Sequence, residues 1–128
     1  MTDISQAEFE VLTVLWEHYP TNANDIIHRL NQRSQGEREW HEKTVKTLLG
    51  RMVKKGAITF EKQGRTYLYT PVLELDKYTI KESESLIQRL FSGKITPLVA
   101  GFAKNKKLSK TDVDELKSFI EQWEKEND

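Results

Sequence analysis

The stretch that decides the fold is Trp40–Pro71, WHEKTVKTLLGRMVKKGAITFEKQGRTYLYTP. Its first half places apolar residues three and four positions apart, which is the spacing of one face of an α-helix. The residues on this face are Val45, Leu48, Leu49 and Met52. The pattern predicts a helix from about Glu42 to Lys55, with Gly56 as the residue that ends it in a left-handed conformation.

The second half of this stretch predicts a β-hairpin. Two runs of β-prone residues, Ile58–Phe60 and Thr66–Tyr69, lie on either side of a polar turn that contains Gly64. Strand-forming runs separated by a short glycine-containing turn are typical of a hairpin, and Pro71 would close it.

Two further helices are predicted upstream of this stretch. Ser5 and Glu8 form an S-x-x-E capping box at the start of the first helix, which ends before Pro20. Thr21 is expected to cap the second helix, and the polar segment 31–39 is expected to be a loop. Three helices followed by a β-ribbon give the winged helix-turn-helix arrangement, so we predict such a domain over residues 1–73.

The predicted third helix and hairpin are strongly basic, although the formal net charge of the 128-residue chain is zero. Positions 43 to 65 hold seven lysine and arginine residues and one acid, Glu61. A lysine-rich amphipathic helix often has no more than a solvated polar face. Here the cations lack interleaved acids, and a basic hairpin follows the helix directly, which favours binding to double-stranded DNA.

The predicted DNA contacts follow from how such a helix enters the major groove. Lysine, arginine and threonine side chains in its N-terminal half can reach base edges, while other cations neutralise phosphates. Ser5, at the start of the first helix, is a candidate for one more phosphate. The full set of candidates is Ser5, Lys43, Thr44, Lys46, Thr47, Arg51, Lys54, Lys62 and Arg65, and Lys55 is expected to serve the DNA backbone with Lys54.

Other classes of function find little support in the sequence. The chain has no cysteine and only three histidines, which lack the spacing of a metal-ligand pair, so we predict no metal site and no cofactor. No catalytic motif stands out, and we do not expect an enzyme. The aromatic residues Trp16, Trp40, Tyr67 and Tyr69 are assigned to the core. We expect no signal peptide, no membrane insertion and a cytoplasmic location.

Residues 74–128 predict helices with sparse apolar stripes that a small winged-helix domain cannot cover. We therefore predict a helical dimerisation domain that shares these stripes with a second copy of the chain. An intramolecular helical cap on the N-terminal domain is the alternative. The candidate dimerisation residues are Leu86, Leu90, Phe91, Leu98, Val99, Phe102, Leu116, Ile120 and Trp123.

Several segments together resemble the penicillinase-repressor family, the BlaI/MecI/CopY group of bacterial regulators. These segments are ISQAEFEVLTVLWE, KTVKTLLGRMVKKGAI, GRTYLYTPV, FSGKITPLVAGF and LSKTDVDELKSFI. The resemblance implies a homodimeric winged-helix repressor that binds an inverted-repeat operator at β-lactamase or related resistance genes and at its own promoter. In that family, Lys43, Thr44, Lys46, Thr47 and Arg51 would occupy recognition-helix positions.

The resemblance also implies a means of derepression, in which a membrane sensor-protease triggers cleavage within the dimerisation region. The matching bond here would be Gly101–Phe102, although the family usually has asparagine before the phenylalanine. The cysteine cluster of the copper-responsive branch is absent, which places the chain nearer the BlaI/MecI branch. Two alternatives stay open: a regulator released by a small molecule without cleavage, and a winged-helix module that binds proteins.

Overall fold

The computed structural model describes residues 3–127, which form six α-helices and a two-stranded antiparallel sheet. In chain order the elements are α1 (Gln6–Glu17), α2 (Ala23–Ser34), α3 (Glu42–Lys55), β1 (Ile58–Gln63), β2 (Thr66–Pro71), α4 (Leu75–Phe91), α5 (Thr96–Lys104) and α6 (Lys110–Glu126). The chain divides into two compact units between Tyr78 and Thr79, within α4. The predicted fold class, mostly helical with one hairpin, is confirmed.

The core of the first unit lies between α1, α2, α3 and the start of β1. The apolar face predicted for α3 is fully or almost fully buried, as are apolar residues from the other three elements. The largest of these partners are Leu12, Leu15, Ile26 and Ile58. Burial of each such side chain contributes about 1.5–3 kcal/mol, so this shared core holds α3 in a fixed orientation.

The hairpin pairs β1 with β2 in a register that runs from Ile58 opposite Pro71 to Gln63 opposite Thr66. Gly64, the first residue of the turn, has φ of 61°, a conformation in which glycine carries no steric cost. The other edge of β2 is partly covered, because Thr21 forms a β-bridge with Tyr69. The hairpin is therefore bonded to the segment that leads into α2.

The start and the end of α2 differ from the sequence-based prediction. Asn22, not Thr21, is the N-cap, and its side chain accepts a 2.8 Å hydrogen bond from the Asp25 N–H. Thr21 is buried, and its hydroxyl donates to the Asp25 carboxylate at 2.8 Å. The helix also continues through Ser34 into the predicted loop, and Gln35 ends it in the left-handed conformation.

The aromatic residues assigned to the core divide into two groups. Trp40 is buried and Trp16 is partly buried, with its indole N–H donating to the Leu73 carbonyl at 2.9 Å. Tyr69 is partly buried, whereas Tyr67 is 45% exposed, so its assignment to the core is wrong. Tyr67 lies opposite Lys62 near the tip of the hairpin, where its ring packs on Phe60, which is itself 43% exposed.

The second unit contains the remainder of α4 with α5 and α6. Ser109 and Asp112 form the predicted capping box at the start of α6, with backbone-to-side-chain distances of 3.0 and 3.1 Å. Among the described residues of this unit, 79–127, none is buried. No two of its helices pack side by side along their lengths.

Candidate nucleic-acid interface

The outer face of α3 carries the side chains that the sequence assigned to DNA. Because Val45, Leu48, Leu49 and Met52 point into the core, the helical geometry leaves the opposite face in solvent. The exposed residues of this face are Lys43, Thr44, Lys46, Thr47, Gly50, Arg51 and Lys54. The predicted division of α3 into a buried face and a polar, cationic face is confirmed.

The segment before α3 is fixed by a side-chain contact that sequence reasoning missed. The Asn31 carboxamide accepts from the Trp40 N–H at 2.7 Å and donates to the Trp40 carbonyl at 3.2 Å. The Arg38 guanidinium lies 3.8 Å from the Trp40 ring centroid, in a cation–π contact. These contacts fix where α3 begins, and Gly56, with φ of 81°, ends the helix as predicted.

In the N-terminal half of α3, two of the candidate residues already have local partners. The Lys46 ammonium donates to the Glu42 carboxylate at 2.6 Å, and this hydrogen bond and the attraction between the two charges raise the pKa of Lys46. The Thr47 hydroxyl donates to the Lys43 carbonyl at 2.8 Å, which leaves the hydroxyl oxygen as an acceptor and the methyl group exposed. Both residues can still turn toward a ligand, because both are on the surface.

In the C-terminal half of α3, the three cations differ in their surroundings. Lys54 is exposed, and Arg51 is 56% exposed with its Nε 3.9 Å from a carboxylate oxygen of Glu8. Lys55 instead donates to both Glu8 carboxylate oxygens, at 2.8 and 3.0 Å, and to the Asp3 carbonyl at 2.7 Å. The charge of Lys55 is therefore neutralised within the protein.

Glu8 is a buried carboxylate at the start of α1, and it reaches α3 from the capping box. It accepts from the Ser5 N–H at 2.9 Å, while the Ser5 hydroxyl accepts from the Glu8 N–H at 3.2 Å. Burial alone would raise the pKa of Glu8, but the hydrogen bonds from Lys55 and Ser5 outweigh it and hold the pKa below its usual range. The structure thus places the Ser5 hydroxyl, a candidate phosphate ligand, beside a negative charge.

The hairpin and the start of α2 complete a groove beside α3. Lys62 and Arg65 are both exposed, with Lys62 in β1 and Arg65 in the turn. The groove is lined by Asn22, Asn24, Lys46, Arg65, Tyr67 and Tyr69. Sequence reasoning did not find the two asparagines, which resemble ordinary capping residues in the sequence. The groove offers amide, ammonium, guanidinium and phenol donors on one surface.

The apolar residues proposed for dimerisation remain uncovered in the single chain. Leu86, Leu90, Phe102, Leu116, Ile120 and Trp123 are exposed, and Phe91, Leu98 and Val99 are partly buried. Phe119, which the sequence-based set omitted, is 69% exposed on the same helix as Trp123. It lies three residues after Leu116 and four before Trp123, so its position in the apolar stripe could have been found from the sequence.

The Gly101–Phe102 bond lies inside α5, near its C-terminal end. The Gly101 carbonyl accepts hydrogen bonds from the Asn105 backbone N–H at 3.2 Å and from the Asn105 side chain at 2.9 Å. The Phe102 ring is half exposed. The bond is therefore close to solvent but is held in helical geometry.

Residues 3–127 contain no group of three or more histidine and acidic side chains placed to hold a metal ion. His18 lies 2.9 Å from a guanidinium nitrogen of Arg29, so its ring has a partner of another kind. Within the same described residues, no helix combines the length and the apolar character needed to cross a membrane.

A three-helix core with a cationic third helix, followed by a basic hairpin, defines a winged-helix DNA-binding protein. The family model described as "Penicillinase repressor" matches residues 4–122. The chain is 36% identical to the penicillinase repressor of Bacillus licheniformis, over 93% of this chain and 90% of the relative. It is 31% identical to the methicillin resistance regulatory protein MecI of Mammaliicoccus sciuri, over 92% and 93% of the two chains.

The comparison of structures agrees with the comparison of sequences. The solution structure of the DNA-binding domain of the repressor BlaI superposes with a TM-score of 0.50 at 40% identity, over 61% of this chain and 94% of that domain. The chain belongs to the penicillinase-repressor family, as its sequence motifs predicted.

Proposed function

We propose that this chain, a DNA-binding transcriptional repressor of the penicillinase-repressor type, binds an inverted-repeat operator as a homodimer through α3 and the hairpin. The observation that carries the proposal is the exposed cationic face of α3, which continues into the groove beside the hairpin. A helix presented in this way enters the major groove, and two copies related by a twofold axis meet two half-sites.

The residues of this surface divide by their reach. Lys43, Thr44, Lys46, Thr47 and Arg51 are proposed for base edges and nearby phosphates, because they lie on the exposed face of the helix, the first four in its N-terminal half and Arg51 one turn further along. Lys54, Lys62 and Arg65 are proposed for phosphates only. We leave Ser5 out of the proposed contacts, because its hydroxyl already accepts the capping bond beside the Glu8 carboxylate.

A second copy of the chain is the proposed partner of the second unit. Its helices expose apolar side chains along their lengths and do not pack on one another. A helix that exposes such a stripe in water gains stability by burying it against another helix. Dimerisation would bury these side chains and bring together the two copies of α3 that an inverted repeat requires.

The proposed targets are β-lactamase or related resistance genes and the repressor's own promoter. The proposed location of the repressor is the cytoplasm. This choice follows the functions of the similar proteins, a penicillinase repressor and a methicillin resistance regulator. For derepression we propose cleavage at Gly101–Phe102, triggered by a membrane sensor-protease. The bond lies in a short helix that contains a glycine and is near solvent, features that favour local unfolding. Release by a small molecule is the second candidate.

DNase footprinting on the chain's own promoter tests the DNA-binding part of the proposal. We expect a protected inverted repeat, with an affinity that falls steeply as salt rises, because each neutralised phosphate contributes about 0.9 to the slope of log K against log salt. A duplex of the same composition in shuffled order is the control. Equal affinity for both duplexes would contradict the proposal and would favour a protein-binding module.

Immunoblotting before and after exposure of the native host to a β-lactam tests the mode of release. Cleavage predicts two fragments whose sizes match a cut after Gly101. These fragments should be absent from a Gly101→Pro variant, because proline changes the backbone conformation that a protease binds at this bond. Loss of operator binding with the chain intact would instead support release by a small molecule.

A further inference from the structure

We propose that Glu8 is a positioning residue for DNA binding, which holds the Lys55 ammonium away from the phosphates and directs the Arg51 guanidinium toward the operator. This inference rests on the proposed function, because it concerns which cations of α3 take part in that binding. Glu8 belongs to α1 and lies 47 residues before Lys55 in the sequence.

The carboxylate of Glu8 is itself held in place from several sides. It is fully buried, it accepts from the Ser5 N–H in the capping box, and α1 packs on α3 through the shared core. A buried carboxylate with such bonds has one geometry, because any other would leave it unpaired at a cost of several kcal/mol. Its position is therefore set before DNA arrives.

The hydrogen bonds of Lys55 account for its whole donor capacity. A lysine ammonium has three N–H donors, and Lys55 uses them on the two Glu8 carboxylate oxygens and the Asp3 carbonyl. To bind a phosphate, Lys55 would have to leave a buried anion without its main partner. Lys54, the adjacent residue, forms no ion pair within residues 3–127 and is available to DNA.

The contact between Glu8 and Arg51 differs from that with Lys55. The Nε of Arg51 is the guanidinium nitrogen nearest the carboxylate, at 3.9 Å, and the side chain stays 56% exposed. Arg51 forms no hydrogen bond with another described residue, so the donors that make its two-pronged contact with guanine or phosphate are available. Glu8 can thus restrain the direction of the guanidinium and leave its binding edge open.

The salt dependence of operator binding, measured on the full-length dimer, tests the assignment of Lys55. We expect Lys54→Gln to reduce the slope of log K against log salt by about one per protomer, and Lys55→Gln to change it by less than about a third of that. The thermal unfolding midpoint of each variant is measured first, so that the titrations compare only variants that are folded at the temperature used. Equal reductions by the two variants would overturn the inference and leave the proposed function standing.

If neither lysine variant changed the slope and Arg51→Ala also bound normally, the proposed DNA surface itself would be wrong. The two failures are therefore distinguishable from the same set of titrations. The Lys55→Arg variant, which keeps a cation beside Glu8, should match the wild-type slope and serves as the conservative control.

Glu8→Gln tests the role of Glu8 directly. Release of Lys55 should steepen the slope by about one per protomer and raise the affinity for shuffled DNA about threefold or more. The ratio of operator to shuffled affinity should fall, because Arg51 loses its restraint. Glu17→Gln removes the same charge from the same helix, where Glu17 lies 3.3 Å from Arg33 of α2, and should leave both quantities unchanged. A Glu8→Gln variant that is less stable but keeps the wild-type slope and ratio would overturn the inference.

Discussion

Helices α3 and α6 have similar sequence patterns and opposite surroundings. Both are amphipathic, with 14 and 17 residues, and both repeat apolar side chains at helical spacing. In α3 the apolar face is buried by α1, α2 and β1, whereas in α6 the corresponding residues are exposed. An apolar stripe in the sequence indicates that one face of a helix will be buried. It does not indicate whether the covering surface comes from the same chain or from a second copy.

The largest effect should come from charges placed on the exposed stripe of α6. Two substitutions in each copy, Ile120→Asp and Trp123→Asp, should weaken dimerisation about a thousandfold or more, because each buried apolar side chain contributes about 1.5–3 kcal/mol. Analytical ultracentrifugation measures this directly. Gln122→Asp, on the polar side of α6, is the control, and a dimer that survived the double variant would refute the proposed interface.

A cavity in α3 should have the next largest effect, and it should act on folding. Leu49 is fully buried, so Leu49→Ala should lower the free energy of unfolding of the first unit by about 2–5 kcal/mol. Phe119→Ala, at a residue that is 69% exposed, should leave the stability of the first unit unchanged and weaken dimerisation instead. Chemical denaturation followed by tryptophan fluorescence compares the two variants. Similar losses would contradict the contrast between the helices.

A smaller effect is expected at the DNA surface. Arg51→Ala should weaken operator binding by about 1–3 kcal/mol while the fold stays intact, because a two-pronged arginine contact contributes that much. Lys117→Ala, which removes an exposed cation from α6, should leave the affinity unchanged. Fluorescence anisotropy with a labelled operator gives both values. A similar loss in both variants would mean that DNA binding follows total charge and has no defined surface.

The smallest effect should be a pH dependence that comes from Glu8 in the first unit. Because its folded-state pKa is lowered, the unfolded chain takes up the proton first as pH falls. The stabilisation is then complete above the ordinary glutamate pKa of about 4.3 and is lost as pH falls through the lower folded-state value. Chemical denaturation of the wild type and of Glu8→Gln at a series of pH values between about 6 and 3 compares the pH dependence of their free energies of unfolding. If the free energy of unfolding of Glu8→Gln depended on pH as steeply as that of the wild type, other carboxylates would carry the effect.

Local signals in the sequence were sufficient for α3 and the hairpin. The bounds Glu42–Lys55, the buried stripe and the final Gly56 all follow from helical spacing and backbone preferences within one segment. The capping boxes at Ser5 and Ser109 were likewise visible, because each joins residues three positions apart. The start of α2 was misplaced since Thr21 and Asn22 are both good capping residues and only tertiary contacts choose between them.

The contacts that position α3 could not be read from the sequence. Asn31 bonds to Trp40 across a turn, and Glu8 bonds to Lys55 between two helices. Each joins residues whose proximity exists only once the helices have packed. The count of acids over positions 43 to 65 was therefore misleading, because Glu42 at the start of α3 pairs with Lys46 and Glu8 of α1 reaches both Lys55 and Arg51.

The bridge between Thr21 and Tyr69 has a consequence for the thermodynamics of binding. Two hydrogen bonds, of 3.1 and 2.8 Å, join the second edge of the hairpin to the segment that leads into α2. The β2 edge of the hairpin is thus restrained near its base, so its orientation is already selected in the unbound protein. Less conformational entropy is lost when it meets the DNA backbone, and more of the contact energy appears as affinity. Slow amide exchange at Tyr69 without DNA would be the signature of this preorganisation.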